Sequence, residues 1–421
     1  MAGAFTIQAR DPSSRARAGV LETAHGPIRT PAFVPLATKA TVKGLLPREV
    51  AALGYEMVLG NTFHLHLRPG EDLIERMGGL HRFMGWSGPI ITDSGGFQVF
   101  SMGHGTVADE IKGRSGLEHH THGSEGGASH GPASHGPEGR SGAILAIEED
   151  GVRFRSYLDG LPRLLSPERS MAIQAALGSD IALVFDECTP FHVERSYTEA
   201  STERTHRWLT RCLEWHAEHG PASQLVYGIV QGGVFEDLRR ASARVVAGSG
   251  CEGIAIGGSL GDSKAQMYSV VEWAMQELGG EHESRPRHLL GIGEIDDLIR
   301  GVELGVDTFD CAMPTRLGRH GCALVPDPTH RWRVDLVKER WREAPEPLQE
   351  DCPCPACAQG FSRAYLSYLA RSSELTGARL LTLHNLTFIA RLMVELRRAI
   401  LEGRLAEVAA AWRDGEKSLH P

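Results

Sequence analysis

The chain has 421 residues, 41% of them apolar, which suffices for one large domain with a smaller attachment or for two or three ordinary domains. A formal net charge of −9 argues against a uniformly basic nucleic-acid-binding surface, so any such role must rest on a local patch. No apolar run is long enough to cross a bilayer, and the opening "MAGAFTIQARDPSSRARAG" lacks the basic start and long apolar stretch of a secretory signal, so a cytoplasmic chain without a membrane partner is expected.

Short apolar runs recur from the first third of the chain onward. Strands are expected at "AFVPLA" (32–37), "EMVLGN" (56–61), "GPIITD" (88–93), "DIALVFD" (180–186), "LVYGIVQG" (225–232), "GIAIGG" (253–258), "HLLGIG" (288–293) and "VDTFDC" (306–311). Amphipathic stretches lie between them, among them 166–178, 198–219 and 235–249. Continuous apolar strands alternating with helices indicate a parallel sheet covered on both faces. Eight such units suggest an α/β fold of the (β/α)8 barrel type, with a doubly wound open sheet as runner-up; no GxGxxG follows the first strand. One stretch departs from this pattern. Residues 104–142 are rich in Gly, His and Ser and read as a disordered surface insertion, with six histidines that could hold a metal weakly.

The polar residues fall in one place. Asp93, Asp186, Gln231, Gly257, Gly258 and Asp310 all stand at C-terminal ends of expected strands. In a parallel barrel those ends converge on the face where active sites are built. Asp93 and Asp310 each follow an apolar run, and two carboxylates facing one site are the usual equipment for cleaving a glycosidic bond. Asp186 and Gln231 offer hydrogen bonds suited to a nucleobase, Gly257 and Gly258 let backbone approach it, and Phe97 can stack on its face. These residues alone point to N- or O-glycosyl transfer, with RNA as a candidate substrate.

Beyond the last strand, "CPCPAC" places Cys352, Cys354 and Cys357 within six residues. His384 in "LLTLHNL" is the candidate fourth ligand, with His330 as competitor; three thiolates and an imidazole make a closed, structural Zn2+ site. From 316 to 342 there are seven Lys or Arg against three acids, so a basic segment carrying Arg316, Arg319 and His320 joins the Asp310 strand to the zinc region. Such a loop suits a polyanion. The expected organisation is a barrel over 1–314 with the insertion at about 104–142, a zinc-binding subdomain over 315–390, and a C-terminal helix over 391–421 that packs back on the barrel.

Taken together, "NTFHLHLRPG", "ITDSGGFQVFS", "FDEC", "GIVQGG", "RHLLGIG", "DTFDCAMPTRLGRHG", "CPCPAC", "SRAYLSYL" and "LHNL" resemble the bacterial-type tRNA-guanine transglycosylases, also called queuine tRNA-ribosyltransferases, over roughly residues 17–400. The resemblance implies a barrel with an attached zinc subdomain, working as a homodimer. It also implies exchange of the wobble guanine of tRNAs with a GUN anticodon for a 7-deazaguanine, in queuosine synthesis. By the same resemblance Asp310 is the nucleophile and Asp93 the general acid/base. Ser94, Phe97, Asp186, Gln231, Gly257, Gly258 and Leu290 then form the base pocket. Arg316, Arg319 and His320 contact the tRNA, and Cys352, Cys354, Cys357 and His384 hold zinc. This chain departs from the family at "GGSLGDS" (257–263), where bacterial members read GGLAVGE. A Gly at 261 goes with the larger base queuine, whereas Cys188 belongs to the pocket for 7-aminomethyl-7-deazaguanine, so the two markers point opposite ways. Two other readings compete: a hydrolytic glycosidase or nucleosidase on the same barrel, and a non-catalytic tRNA-binding partner subunit. Such subunits lose the nucleophile, and this chain keeps both Asp93 and Asp310.

Overall fold

The computed structural model describes residues 3–104, 144–190, 192–258 and 260–414. Beyond His104, the His/Gly-rich stretch therefore lies outside the described residues, as does the end of the chain after 414. An antiparallel sheet that sequence periodicity did not reveal comes first: β1 (Phe5–Arg10), β2 (Arg17–Thr23) and β3 (Gly26–Thr30). The barrel then begins with β4 (Ala32–Val34), β5 (Val58–Gly60) and β6 (Ile90–Thr92). A second antiparallel sheet interrupts it, made of β7 (Ile144–Glu148), β8 (Gly151–Arg155) and β9 (Pro162–Leu165). The barrel resumes with β10 (Ile181–Leu183), β11 (Leu225–Val230), β12 (Gly253–Ile256), β13 (Arg287–Leu289) and β14 (Thr308–Asp310).

These eight strands match the eight expected runs, each shorter than its apolar run because the chain leaves the sheet at its glycines and carboxylates. All pairings are parallel, in the order β4-β14-β13-β12-β11-β10-β6-β5. The ring closes where Leu59 N–H donates to Pro35 O at 3.1 Å and Ala37 N–H to Leu59 O at 2.7 Å. Strand residues are buried on both faces, which is why they read as continuous apolar runs rather than alternating ones. The helix Pro167–Leu177 shows the local grammar: Ser166 caps its start by accepting from Arg169 N–H at 3.1 Å, and Gly178 ends it at φ +71°.

After β14 the short helix Met313–Arg319 leads to a hairpin, β15 (Cys322–Leu324) and β16 (Arg333–Asp335), with its own small apolar core. The 27-residue helix Leu375–Leu401 packs on the helix Met313–Arg319 and on β4. The border expected between 390 and 391 falls inside this helix, whose buried residues recur from Gly377 to Ile400. The helix Leu405–Asp414 follows, and its Trp412 is buried against Phe388 and Trp332.

Candidate active site and metal centre

The strand-end residues meet at one end of the barrel. Asp93 directly follows β6, and its neighbour Ser94 donates from Oγ to Asp186 Oδ1 at 2.9 Å. Gln231, just past β11, donates from Nε2 to the other oxygen of Asp186 at 2.6 Å. That uses the amide of Gln231, while its Oε1 is buried and meets no donor among the described residues. Gly258 lies against this oxygen. At φ +79° a side chain would be strained, and its Cβ would stand 2.2 Å from Gln231 Oε1. A Cβ on Gly257 would press on Ile229, Leu290 and Gln231 Nε2. Leu290, after β13, and Phe97, on the helix Gly96–His104 after β6, are both half-buried at this end.

Asp93 is held from the neighbouring strand end. Thr62 N–H donates to its Oδ1 at 2.8 Å and the Asn61 amide to its Oδ2, while Asn61 also caps the helix Thr62–Leu67. Burial pushes Asp93 up to about 7, with the negative charge of Asp310 adding to the shift against the hydrogen bonds that lower it. Asp186 is pushed to about 6, again by burial first. Asp310, at the end of β14, is almost covered; its Oδ1 accepts from Gly291 N–H at 3.2 Å and lies 3.1 Å from His288 Nε2. His288 is fully buried, and its Nδ1 is 2.9 Å from Thr308 Oγ1. A Thr308 hydroxyl donating to Nδ1 leaves Nε2–H to donate to Asp310.

Three contributors were missed in the sequence. His288 sits in an apolar run and reads as a core residue; the β13–β14 register, which pairs His288 with Thr308, brings it to Asp310. Asn61 carries only the signal of a helix cap. Arg239 is fully buried and donates to Gly233 O at 2.7 Å, Gly257 O at 2.8 Å and Val230 O at 3.0 Å, tying together the ends of β11 and β12. Chemically, the site offers one carboxylate oriented by donors, a second carboxyl that holds its proton near neutrality, and acceptors on Asp186 and Gln231.

Gly261 stands in the turn that follows Gly258. It sits at φ +103°, and a Cβ there would meet Gln266 Oε1 at 2.2 Å, so the backbone turn before the helix Lys264–Gln276 requires glycine. Cys188 is buried.

The metal ligands expected from sequence come together. His384 Nδ1 lies 3.6, 3.3 and 3.5 Å from the sulfurs of Cys352, Cys354 and Cys357. Bonds of the usual zinc lengths in a tetrahedron place nitrogen and sulfur about 3.6 Å apart. His384 Nε2 donates to Leu324 O at 2.7 Å, which leaves Nδ1 as the ligand atom. Hydrogen bonds from Cys354 and Cys357 hold the Cys352 thiol well below the usual thiol range, whereas those with Cys352 and Cys357 drive Cys354 well above it. Three crowded sulfurs cannot all ionise without a cation, so the donor set fits Zn2+. His330 lies apart, paired with Asp327 at 2.8 Å.

The next residue ties this centre to the barrel. Asn385 accepts from Leu324 N–H at 2.7 Å and donates to Pro314 O and Cys322 O, both at 3.0 Å. The helix bearing Arg316 and Arg319 is thus clamped between Asp310 and the metal ligands. Gly318 on it is so close to the long helix that a Cβ would lie 2.6 Å from Thr382 N. Arg316 and Arg319 are half-buried and His320 exposed; the positive charge of Arg316, after burial, lowers Arg319. Lys43 is lowered by burial and then by Arg319 and Lys39, so two lysines from the loop after β4 join this basic group. Among the described residues none of these four cations makes an ion pair, whereas Arg333 and Arg342 pair with Glu294 and Glu339.

Known proteins resemble this chain over nearly its whole length. The family model described as queuine tRNA-ribosyltransferase matches residues 11–125 and 138–418, and the gap falls within the His/Gly-rich stretch. A queuine tRNA-ribosyltransferase of Roseiflexus sp. is 48% identical over 97% of this chain and 98% of its own length. Those of Pelotomaculum thermopropionicum and Herpetosiphon aurantiacus are 43% and 44% identical, each over 97% of this chain and over 97% and 92% of their own lengths.

Proposed function

The chain belongs to the queuine tRNA-ribosyltransferase family, and from that premise we propose that it replaces the wobble guanine of GUN-anticodon tRNAs with a 7-deazaguanine through a covalent bond between Asp310 and the ribose. It is a transferase of tRNA-guanine transglycosylation; the covalent step and the choice of base are the proposal. The observation that carries it is the pair Asp93 and Asp310 in one pocket, the first lifted to about 7 partly by the charge of the second.

The chemistry runs in two halves. A carboxylate oxygen of Asp310 attacks C1′ of the ribose while the C1′–N9 bond breaks, and its electron pair leaves with guanine, which takes a proton from Asp93. The incoming base then gives its N9 proton to Asp93, and its N9 displaces Asp310 from C1′. No water enters, so the energy of the glycosidic bond is kept. His288 and Gly291 N–H hold the Asp310 oxygen in place through both halves. Asp186, fixed by Ser94 and Gln231, accepts from the ring N–H and amino group of the base. The open Gln231 Oε1 is a further acceptor, and Phe97 and Leu290 enclose the base faces.

The target nucleotide must leave its stack to reach this pocket. Arg316, Arg319 and His320, with Lys39 and Lys43, would hold the tRNA backbone at the rim. Zinc on Cys352, Cys354, Cys357 and His384 supplies no chemistry; it fixes the 315–390 region from which that rim is built. The same reading makes the working protein a cytoplasmic homodimer. Incubation with GUN-anticodon tRNA and labelled guanine, 7-aminomethyl-7-deazaguanine or queuine tests it. Cys188 predicts 7-aminomethyl-7-deazaguanine above queuine and Gly261 the reverse, so the ranking decides between the two markers. Release of abasic tRNA without incorporation would favour a hydrolase, and no turnover by folded, zinc-loaded protein a binding subunit.

A further inference from the structure

A second group of metal-ligating side chains lies at the opposite end of the barrel. His25 stands in the turn between β2 and β3, His81 on the helix Gly79–Met84, and Asp180 immediately before β10. The Asp180 side chain is wholly buried; its Oδ1 is 2.8 Å from His25 Nδ1 and its Oδ2 is 3.1 Å from His81 Nε2. The donor atoms of all three lie within 4.8 Å of one another. Two backbone N–H groups, of His25 at 3.1 Å and Ile90 at 2.8 Å, also donate to the carboxylate and fix it.

The two imidazoles are stacked, with centroids 3.5 Å apart and planes 15° from parallel. A nitrogen of each ring points at the same buried carboxylate. A divalent cation can replace the protons between them and satisfy all three groups at once. Two imidazoles and a carboxylate suit zinc and its first-row neighbours, and leave a coordination position for water. An imidazole binds metal in its ring plane, so the rings must fan apart; the His25 side chain is 42% exposed and has room to turn. We propose that His25, His81 and Asp180 form a second site for a divalent transition metal. It would cross-link the N-terminal hairpin to the floor of the barrel, remote from the strand ends that bear Asp93 and Asp310.

The probe is Co2+. The full chain, with its Cys3His centre already loaded with Zn2+, is equilibrated with micromolar Co2+, and bound metal is counted by elemental analysis. The wild type is compared with a His25→Gln/His81→Gln double variant and with His25→Gln alone, whose exposed position makes it safe for folding. Metal held by the histidines of 104–142 is the same in all three. The proposal expects one more Co2+ per chain in the wild type than in the double variant. It also expects a Co2+-dependent rise in Tm that His25→Gln weakens and the double variant abolishes, with base exchange intact in both. Equal metal counts, or an equal rise in Tm, in variants that still exchange base would overturn it.

Discussion

The barrel mouth and the Cys3His centre both bury ionisable groups, and they treat charge in opposite ways. At the mouth, desolvation keeps Asp93 at about 7 and Asp186 at about 6, so near neutrality the fold opposes the charges that its chemistry uses. At the centre, three sulfurs stand about one tetrahedral edge from His384 Nδ1, and a cation turns their crowding into bonds. The first cluster is destabilising in proportion to its readiness to move protons. The second is stabilising in proportion to its closure. Asn385 joins them, holding the segment that runs from Asp310 to the metal ligands.

Removing the nucleophile should have the largest effect. Asp310→Ala is expected to lower base exchange by about 10⁴-fold or more while leaving zinc content and Tm nearly unchanged, as steady-state incorporation and metal analysis would show. Cys354→Ser should do the reverse. Loss of zinc is expected to cost about 4 kcal/mol or more of stability and to weaken tRNA binding in step, measured by thermal melts and filter binding. Full stability in a zinc-free preparation would break the comparison from that side.

Asp93→Asn sharpens it. The folded pKa of about 7 exceeds the unfolded value near 3.8, so between them the folded state binds more protons and stability falls as pH rises through that window. The variant removes this slope. It should be about 1–2 kcal/mol more stable than the wild type at pH 8 and not at pH 4, yet about 10³-fold slower in exchange. A variant less stable at pH 8 would show that the buried carboxylate is no burden. His288→Gln carries the smallest expected effect: loss of a hydrogen bond to a charged oxygen should slow exchange about 10- to 100-fold, without loss of metal. An unchanged rate would remove His288 from the support of Asp310.

Much of this contrast was legible in the residues. Apolar runs gave the eight strands because both faces of each are covered, and Asp93, Asp186, Gln231 and Asp310 could be grouped because parallel strand ends converge. The crowding of Cys352, Cys354 and Cys357 was a local signal, and His384 a short extension of it. What stayed hidden depends on register or on distant partners. His288 reaches Asp310 only through the pairing of β13 with β14. Lys39 and Lys43 come to Arg319 from the far end of the chain, and a run of isolated cations gives no sign of that. Gly261 carries a further demand that the sequence pattern does not display, a positive φ beside the Gln266 side chain.

The central claim is the ribosyl bond to Asp310. Wild-type protein is mixed with GUN-anticodon tRNA in the absence of incoming base, denatured, digested with protease and nuclease, and analysed by mass spectrometry. The account predicts a ribonucleotide adduct on the peptide that contains Asp310, formed by the wild type and Asp93→Asn at different rates and absent from Asp310→Ala. An adduct on Asp93, or one that persists in Asp310→Ala, would contradict it.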